Sequence, residues 1–442
     1  MILRLRQIVF FGIMLGAFFI SHAESLEDAK NPQVTIHGYG PYVFATWAKN
    51  NGTNDIIQAA FSSDFGSSWS IPSPLSASGQ TALNPKIVDC NRQVYIYNLW
   101  TRSNGTNDII QFDASKNRFS SWLTPVNLSA DGQDASNPEF ATDDLGRYTY
   151  AIWSRSNGTN DIIQFTSSPY FGSNFSSPVD LSSIGQNASN PKVCTISSYG
   201  CVCAIWQRAN VIQFSHSSDR GNTWDSVVDL SDAAQNAKTP DIISKDLAIH
   251  AIWVRSNGTN DIVQCRSSTD NASTWSNVID VSASGQNAKD PKIVSDVSGR
   301  FAYIAWIRSN GENNIAQVSR TDDSGATWKT PKDLSLPDQN AKDVQITTDA
   351  YGQNIYVLWA RSNGENDIIQ LSYSNDYGKL WKTPIDLSAS LQDAKNPQII
   401  TSFPGMNTFA IWARSDGTKN VIELATSAYY GASWTSSIII SN

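Results

Sequence analysis

Charged and metal-binding residues are scarce in this chain of 442 residues. Only 16% of the residues are charged, the formal net charge is −8, and no cluster of lysine and arginine occurs. A surface that binds nucleic acid needs clustered basic residues to neutralise phosphates, so the composition argues against that partner. The four histidines and five cysteines show no metal-ligand spacing such as C-x-x-C. We therefore predict neither a metal site nor a cofactor.

The cysteines, Cys90, Cys194, Cys201, Cys203 and Cys265, are odd in number. In an exported protein this leaves at least one free thiol. Cys194 could pair with Cys201 or Cys203 across a short hairpin. Alternatively, the cysteines are small buried apolar residues. The sequence leaves both interpretations open.

Long apolar runs are also missing, except at the start of the chain. Arg4 and Arg6 precede an apolar run at 8–20, which ends in Ser-His-Ala at 21–23. A basic segment, a short apolar core and a small-x-small end are typical of a cleaved secretory signal. No later stretch approaches the about 20 apolar residues that span a bilayer. We predict a signal peptide at 1–23, cleaved near Ala23, and a secreted or cell-envelope protein without a membrane span.

Tryptophan, in contrast, is abundant, and all fifteen copies belong to a repeat. Eight begin the motif W-x-R-S-N-G-x-N-D-I-I-Q or a diverged version of it: Trp47, Trp100, Trp153, Trp206, Trp253, Trp306, Trp359 and Trp412. Their spacing is 53 residues except for one step of 47. Seven others close a second motif about twenty residues later: Trp69, Trp122, Trp224, Trp275, Trp328, Trp381 and Trp434. A fixed period of this size indicates one supersecondary unit copied along the chain.

The repeat unit has the pattern of a propeller blade. Within 84–129, four short runs rich in β-branched and aromatic residues alternate with Gly/Asn/Asp/Ser turns, and no helical periodicity occurs. We predict an all-β fold, an eight-bladed β-propeller of four-stranded blades, as a single domain at 24–442. Blade eight should close the ring by packing against blade one, without an exchanged strand. The predicted blades are 29–76, 82–129, 135–182, 188–231, 237–282, 288–335, 341–388 and 394–442.

The second motif is [S/T]-x-D-x-G-x-x-W, with four intact copies and several diverged ones. It resembles the Asp-box, or BNR, repeat of sialidases and related propellers, and the resemblance covers the whole predicted mature chain. We expect the aspartate to cap a tight turn, the glycine to take a positive φ and the tryptophan to cover the hairpin. The resemblance implies that the boxes lie opposite the active-site face. Their structural aspartates are Asp64, Asp219, Asp270, Asp323 and Asp376.

The resemblance to sialidases does not extend to their catalytic residues. Those enzymes use an arginine triad, a Tyr/Glu nucleophile pair and an Asp acid/base, with an early Arg-Ile-Pro motif. No Arg-Ile-Pro occurs in this sequence. Seven arginines occupy one repeated position, and the remaining ones of the mature chain fall in or beside turns on the Asp-box side. We therefore favour a protein that is not an enzyme.

The repeated arginine has two interpretations. Each one could bridge to the loop aspartate at position 55, 108, 161, 261 or 367 and tie neighbouring blades together, which we favour. Alternatively, arginine, asparagine and aspartate form a ring of equivalent sugar sites beside a tryptophan platform. These candidate ligand-binding residues are Arg102, Asn104, Asp108, Arg155, Asn157, Asp161, Arg255, Asn257, Asp261, Arg361, Asn363 and Asp367.

One repeated position varies from blade to blade. It follows the repeated proline, where the innermost strand begins, and should ring the mouth of the central channel. Glu139 and Asp241 could form the two-carboxylate arrangement of a glycosidase. We favour the other interpretation, in which lysines and acids alternate around the mouth and neutralise one another. The position holds Gln33, Lys86, Glu139, Lys192, Asp241, Lys292, Gln345 and Gln398.

Three functions remain open. We favour an exported, monomeric Asp-box propeller that binds carbohydrate, because one face is predicted to be paved with the amides and hydroxyls of the loops. The alternative is a divergent sialidase-like exo-glycoside hydrolase that uses Glu139 or Asp241. The third possibility is a propeller that binds a protein partner.

Overall fold

The computed structural model describes residues 28–38, 40–90, 95–117, 119, 121–196, 200–415 and 417–442. Eight antiparallel sheets form a ring around a central channel, and the predicted eight-bladed β-propeller is confirmed. The predicted signal peptide lies outside the described residues. Within the described ranges, no helix combines the length and the hydropathy needed to cross a bilayer.

Each blade is built from four consecutive strands, with the first strand innermost. The first strands are Ala29–Ile36, Ala82–Asp89, Ala135–Thr142, Ala188–Ile196, Lys238–Lys245, Ala288–Ser295, Ala341–Thr348 and Ala394–Thr401. The second strands are Val43–Asn50, Ile96–Ser103, Thr149–Ser156, Cys201–Arg208, Ala248–Ser256, Ala302–Ser309, Ile355–Ser362 and Thr408–Ser415. The third strands are Asp55–Ser62, Asp108–Ser115, Asp161–Ser168, Val211–Ser217, Asp261–Ser268, Asn314–Thr321, Asp367–Ser374 and Asn420–Ala428.

The fourth strands are much shorter than the sequence pattern suggests. Pro125 precedes one of them, and a proline cannot donate a ladder hydrogen bond, so it limits pairing in that blade. They are Ser73–Pro74, Val126–Asn127, Val179–Asp180, Val228–Asp229, Ile279–Asp280, Lys332–Asp333, Ile385–Asp386 and Ile438–Ile439, and blade eight has an additional short strand, Ser433–Trp434, at its Asp-box hairpin. A 3-10 turn, Ala233–Gln235, precedes blade five.

The ring has two faces of different composition. The turns between second and third strands lie on one face with the segments that join successive blades, as Asn54 Nδ2 donates to Thr81 Oγ1 at 3.3 Å. We call this the polar face. The turns between first and second strands and the Asp boxes lie on the opposite face, which we call the Asp-box face. The first strands begin at the polar face.

The second-strand tryptophans hold neighbouring blades together. All eight are fully buried, and each packs into the blade that precedes it. Trp47 of blade one packs against Ile411 and Leu424 of blade eight, beside the first strands of both blades. Each sheet contains only strands that are consecutive in the chain. The predicted closure without an exchanged strand is therefore confirmed.

The Asp boxes act as turn-forming units, as the sequence predicts. Asp219 Oδ1 accepts a hydrogen bond from the backbone N–H of Thr223 at 2.8 Å. Gly221 has a φ of 82°, and a Cβ there would lie 2.5 Å from the ring of Phe165 in the preceding blade. Trp224 meets the same ring edge-on, with centroids 4.9 Å apart. The box tryptophan therefore contacts the neighbouring blade as well as its own hairpin.

None of the five cysteines, all of which lie in the described ranges, forms a disulfide bond. Cys194 lies directly opposite Cys203 on the neighbouring strand, whereas Cys201 lies opposite Ile196. The contact with Cys194 and burial raise the pKa of the Cys203 thiol. Four of the five are buried, as expected for small apolar residues.

One buried polar side chain is expected to destabilise blade two. Asn98 is fully buried, and neither its Oδ1 nor its Nδ2 has a hydrogen-bond partner. The equivalent residues in blades one and three are Ala45 and Ala151. An unsatisfied buried polar group costs about 1–3 kcal/mol, so Asn98→Ala should raise the free energy of unfolding by about 1 kcal/mol after the loss of side-chain volume. Urea denaturation measures the change, and the matched variant Ala151→Asn should lower the same quantity.

Candidate binding site at the channel mouth

The mouth of the channel on the polar face is shaped by a backbone bulge in every first strand. The residue immediately before the repeated proline position has a φ of 50–55° in all eight blades, and the register between the first and second strands shifts there. Asparagine and aspartate tolerate this left-handed conformation better than other non-glycine residues. The bulge residues are Asn31, Asn84, Asn137, Asn190, Thr239, Asp290, Asp343 and Asn396. They surround the mouth with short polar side chains.

The variable position two residues later lies just inside this rim, and its eight residues are all half-buried. Seven of them line two adjoining cavities of about 320 Å³ and about 270 Å³, which share Asn84 and Lys86. The eighth, Asp241, accepts hydrogen bonds from the backbone N–H groups of Ile242 and Ile293 at 3.1 and 3.3 Å. The residues at the bulge and at the variable position together supply the polar and charged side chains of the mouth.

The smaller cavity contains an ion triad. Glu139 Oε1 accepts hydrogen bonds from Lys86 Nζ at 3.0 Å and from Lys192 Nζ at 2.6 Å. Burial alone would raise the pKa of Glu139, but the ammonium groups of Lys192 and Lys86 lower this pKa to about 2. Although burial opposes it, Glu139 and Asp241 hold the pKa of Lys192 above its usual value. Charges in this half of the mouth are therefore satisfied within the protein.

The larger cavity is different, because Lys292, Gln345 and Gln398 lack such partners, although Lys86 and Gln33 are hydrogen-bonded there as well. Lys292 lies within 4 Å of no carboxylate in the described part of the chain, and burial lowers its pKa despite the nearby Asp241. The side-chain amides of Gln345 and Gln398 form no hydrogen bond within the same ranges. Burial raises the pKa of Asp343 at the rim. This half of the mouth presents donors and acceptors that remain available to a ligand.

The matching family model is the BNR repeat-like domain, which covers residues 186–408. This is more than half of the chain. The chain belongs to the BNR repeat-like domain family. The resemblance inferred from the Asp boxes is thereby confirmed, and no curated protein sequence matches the chain.

Solved structures share the architecture of this BNR propeller at low sequence identity. An ulvan lyase, described as a polysaccharide lyase, is 11% identical, with 91% of this chain and 94% of that chain covered and a TM-score of 0.55. A prolyl endopeptidase is 8% identical, with 91% and 55% covered and a TM-score of 0.51. The NanB sialidase of Streptococcus pneumoniae is 13% identical, with 83% and 70% covered and a TM-score of 0.41. At these identities the likeness to the lyase and to the endopeptidase shows the fold alone.

The repeated arginines of the BNR propeller also lie on the polar face, but the aspartates that they bind differ from those predicted. Arg255 pairs with Asp280 of the fourth strand at 2.8 Å. Arg361 likewise pairs with Asp386 at 3.0 Å, and Arg155 with Asp180 at 3.6 Å. The predicted bridge from arginine to the loop aspartate is wrong.

The strand register explains this correction. Asp261 lies opposite Ser256, so its side chain projects from the face of the sheet that Arg255 does not occupy. Gln264 lies opposite Trp253, and Asp280 lies opposite Gln264, which places Asp280 on the arginine side. The loop aspartates bind first-strand lysines instead, in the pairs Lys30–Asp55, Lys238–Asp261 and Lys342–Asp367.

The loop asparagines shape their own turns. Asn257 Oδ1 accepts hydrogen bonds from the N–H groups of Thr259 and Asn260, and its Nδ2 donates to the carbonyl of Ser284 at 2.7 Å. Asn104, Asn157 and Asn363 accept the corresponding turn hydrogen bonds. Asp108 and Asp161 are exposed on the rim. Most of the predicted ring is thus engaged in the scaffold, and the variable position at the mouth supplies the less satisfied groups.

Two further features limit the chemistry of the mouth. A group of three or more histidine, cysteine, aspartate or glutamate side chains able to hold a metal ion does not occur in the described ranges. Glu139 has a pKa of about 2 and is therefore ionised at neutral pH. A glycosidase acid must carry a proton before it protonates the leaving group, so Glu139 is poorly suited to that role.

Proposed function

We propose that this BNR propeller is a carbohydrate-binding protein and that the sugar occupies the larger cavity of the channel mouth. The observation that carries the proposal is the unpartnered set of Lys292, Gln345 and Gln398. Equivalent side chains in the smaller cavity are paired with one another. Polar groups that the scaffold does not satisfy are the ones that gain most from a ligand.

The mixture of groups favours a hydroxylated ligand. The ammonium of Lys292 and the amide nitrogens of the glutamines donate hydrogen bonds, while Asp290 and Asp343 accept them. Each sugar hydroxyl can do both. The volume of about 320 Å³ lies at the lower end of the range of about 300–1,000 Å³ for small-molecule sites, which suits a short saccharide.

The double variant Lys292→Ala/Gln398→Ala is expected to lower the affinity for glycan at least tenfold. Hydrogen bonds to charged groups contribute about 1.5–3 kcal/mol, which corresponds to at least a tenfold change in the dissociation constant. Isothermal titration with the tightest ligand found on a glycan array measures the effect. Lys289→Ala is the matched control, because this exposed lysine lies on the same strand but outside the cavity. Equal affinities of the double variant and the wild type would overturn the placement at the mouth.

A further inference from the structure

We propose a second carbohydrate site on the Asp-box face, in a cleft between blades seven and eight that takes a neutral sugar. The cleft has a volume of about 490 Å³. It is lined by Tyr351, Tyr429, Tyr430, Asn354 and Asn375, together with the backbone turns that carry them. The site is separate from the channel mouth and does not depend on it.

The cleft lies where an aromatic contact found between some other blades is missing. In blades three and seven, an aromatic ring at the Asp-box turn lies against a ring of the preceding blade: Phe171 stacks on Tyr95 with centroids 4.2 Å apart, and Tyr377 lies near Phe301 at 4.9 Å. Tyr430 is the equivalent of Phe171 and Tyr377 in blade eight. The residue of blade seven that is equivalent to Tyr95 and Phe301 is Asn354, which has no aromatic ring, as is also the case for Cys201, Ala248 and Asn407 in three other blades. The missing ring leaves a concave space beside Tyr430.

Blade eight also replaces the Asp-box aspartate itself with Tyr429. The side chain of Tyr429 is 70% exposed, that of Tyr351 is 59% exposed and that of Tyr430 is 37% exposed. Three accessible tyrosines around one cleft give rigid, amphipathic contact surfaces at low cost in side-chain entropy. A sugar ring offers C–H groups on its faces and hydroxyls at its edge. The C–H groups can pack on the tyrosine rings, and the hydroxyls can hydrogen-bond to the exposed amide of Asn375.

The charge in the cleft is already satisfied, which favours a neutral ligand. Asp349 is the only ionisable acid or base among the lining residues other than the tyrosines. Its carboxylate accepts hydrogen bonds from the backbone N–H groups of Tyr351, Gln353 and Asn354 at 3.1, 2.9 and 3.2 Å. It also accepts one from Asn354 Nδ2 at 2.6 Å. Among the described residues that line the cleft there is no lysine or arginine that would attract an anion.

The test uses saturation-transfer NMR with the methyl glycosides of glucose, galactose, mannose and fucose. All variants carry Lys292→Ala/Gln398→Ala, so that any signal comes from outside the channel mouth. In this background, at least one glycoside should show saturation transfer. Adding Tyr351→Ala/Tyr429→Ala should weaken its binding at least tenfold. Tyr170→Ala is the matched control, because Tyr170 occupies the position of Tyr429 in blade three and is 62% exposed, but Phe171 beside it already stacks on Tyr95.

A second variant guards against misfolding. Asn354→Tyr introduces the tyrosine found at the equivalent positions of blades one, two and three, Tyr42, Tyr95 and Tyr148, so the turn should form while the new ring fills the cleft. This variant should keep its thermal melting temperature and lose the glycoside signal. The absence of glycoside binding in the background protein, or binding that survives both cleft changes, would overturn the proposal. The proposal would also be overturned if the cleft variants changed only the self-association seen in size-exclusion chromatography. That result would assign the tyrosines to a protein contact.

Discussion

Glu139→Gln is expected to lower the free energy of unfolding by about 2–3 kcal/mol at pH 7. The shift of the Glu139 pKa from 4.5 to about 2 corresponds to about 3 kcal/mol, reduced somewhat because the side chain is 22% exposed to the channel. The variant also leaves Lys86 and Lys192 facing each other without a carboxylate between them. Urea denaturation at fixed pH measures the change.

The pH dependence of this effect has a definite sign. The folded protein lowers the pKa of Glu139, so its stabilisation is fully present above about pH 4.5 and is lost as the pH falls towards 2. The difference between wild type and Glu139→Gln should therefore shrink over that window. Asp108→Asn, a change of an exposed loop carboxylate, should have little effect at any pH. Equal unfolding midpoints of wild type and Glu139→Gln at pH 7 would contradict the ion triad.

The same variant separates binding from hydrolysis. A fluorogenic sialoside or another aryl glycoside should not be turned over by a binding protein. Turnover by the wild type that disappears in a folded Glu139→Gln variant would support the glycosidase alternative.

Trp253→Ala is expected to have the largest effect on stability, a loss of about 3–5 kcal/mol. The indole is fully buried in a cluster with Ile205 and Ile212 of blade four. Its Nε1 donates to Gln264 Oε1 at 3.0 Å, and this amide in turn donates to Asp280 at 2.7 Å. Truncation would open a cavity between two blades and remove one partner of a buried hydrogen-bond chain.

Trp275→Ala in the same blade is the matched comparison. This Asp-box tryptophan is half-buried and meets Phe214 edge-on, with centroids 5.0 Å apart. Because part of its surface is already in water, its loss should cost only about 1–2 kcal/mol. Chemical denaturation of the two variants gives the ranking. A larger loss for Trp275→Ala would contradict the assignment of the second-strand tryptophans as the main contacts between blades.

The fold could be predicted from the sequence because every signal in it repeats. Period, turn residues and the two tryptophan sets all indicate the same blade, and copies confirm one another. The arginine partners could not be predicted with equal success. The short fourth strand gives little sequence signal, and its register decides that Arg255 reaches Asp280 rather than Asp261.

The candidate site was only partly predictable. The repeat located the variable position after the proline. The predicted mutual neutralisation of charges holds for Glu139, which pairs with two lysines, but not for Lys292, which has no carboxylate partner in the described ranges. Which charges meet depends on side-chain reach across neighbouring blades, and sequence spacing does not encode that distance. The tyrosine cleft did leave a signal in the sequence, since Tyr429 replaces an Asp-box aspartate and Asn354 stands where blades one, two and three have a tyrosine.

A glycan array probed with the wild type and with Lys292→Ala/Gln398→Ala is the most direct measurement of carbohydrate binding at the channel mouth. The wild type is predicted to bind a defined set of saccharides, and the double variant is predicted to lose all or most of that set while keeping its melting temperature. Binding of no glycan by the folded wild type would contradict a carbohydrate function and leave a protein partner as the remaining ligand class.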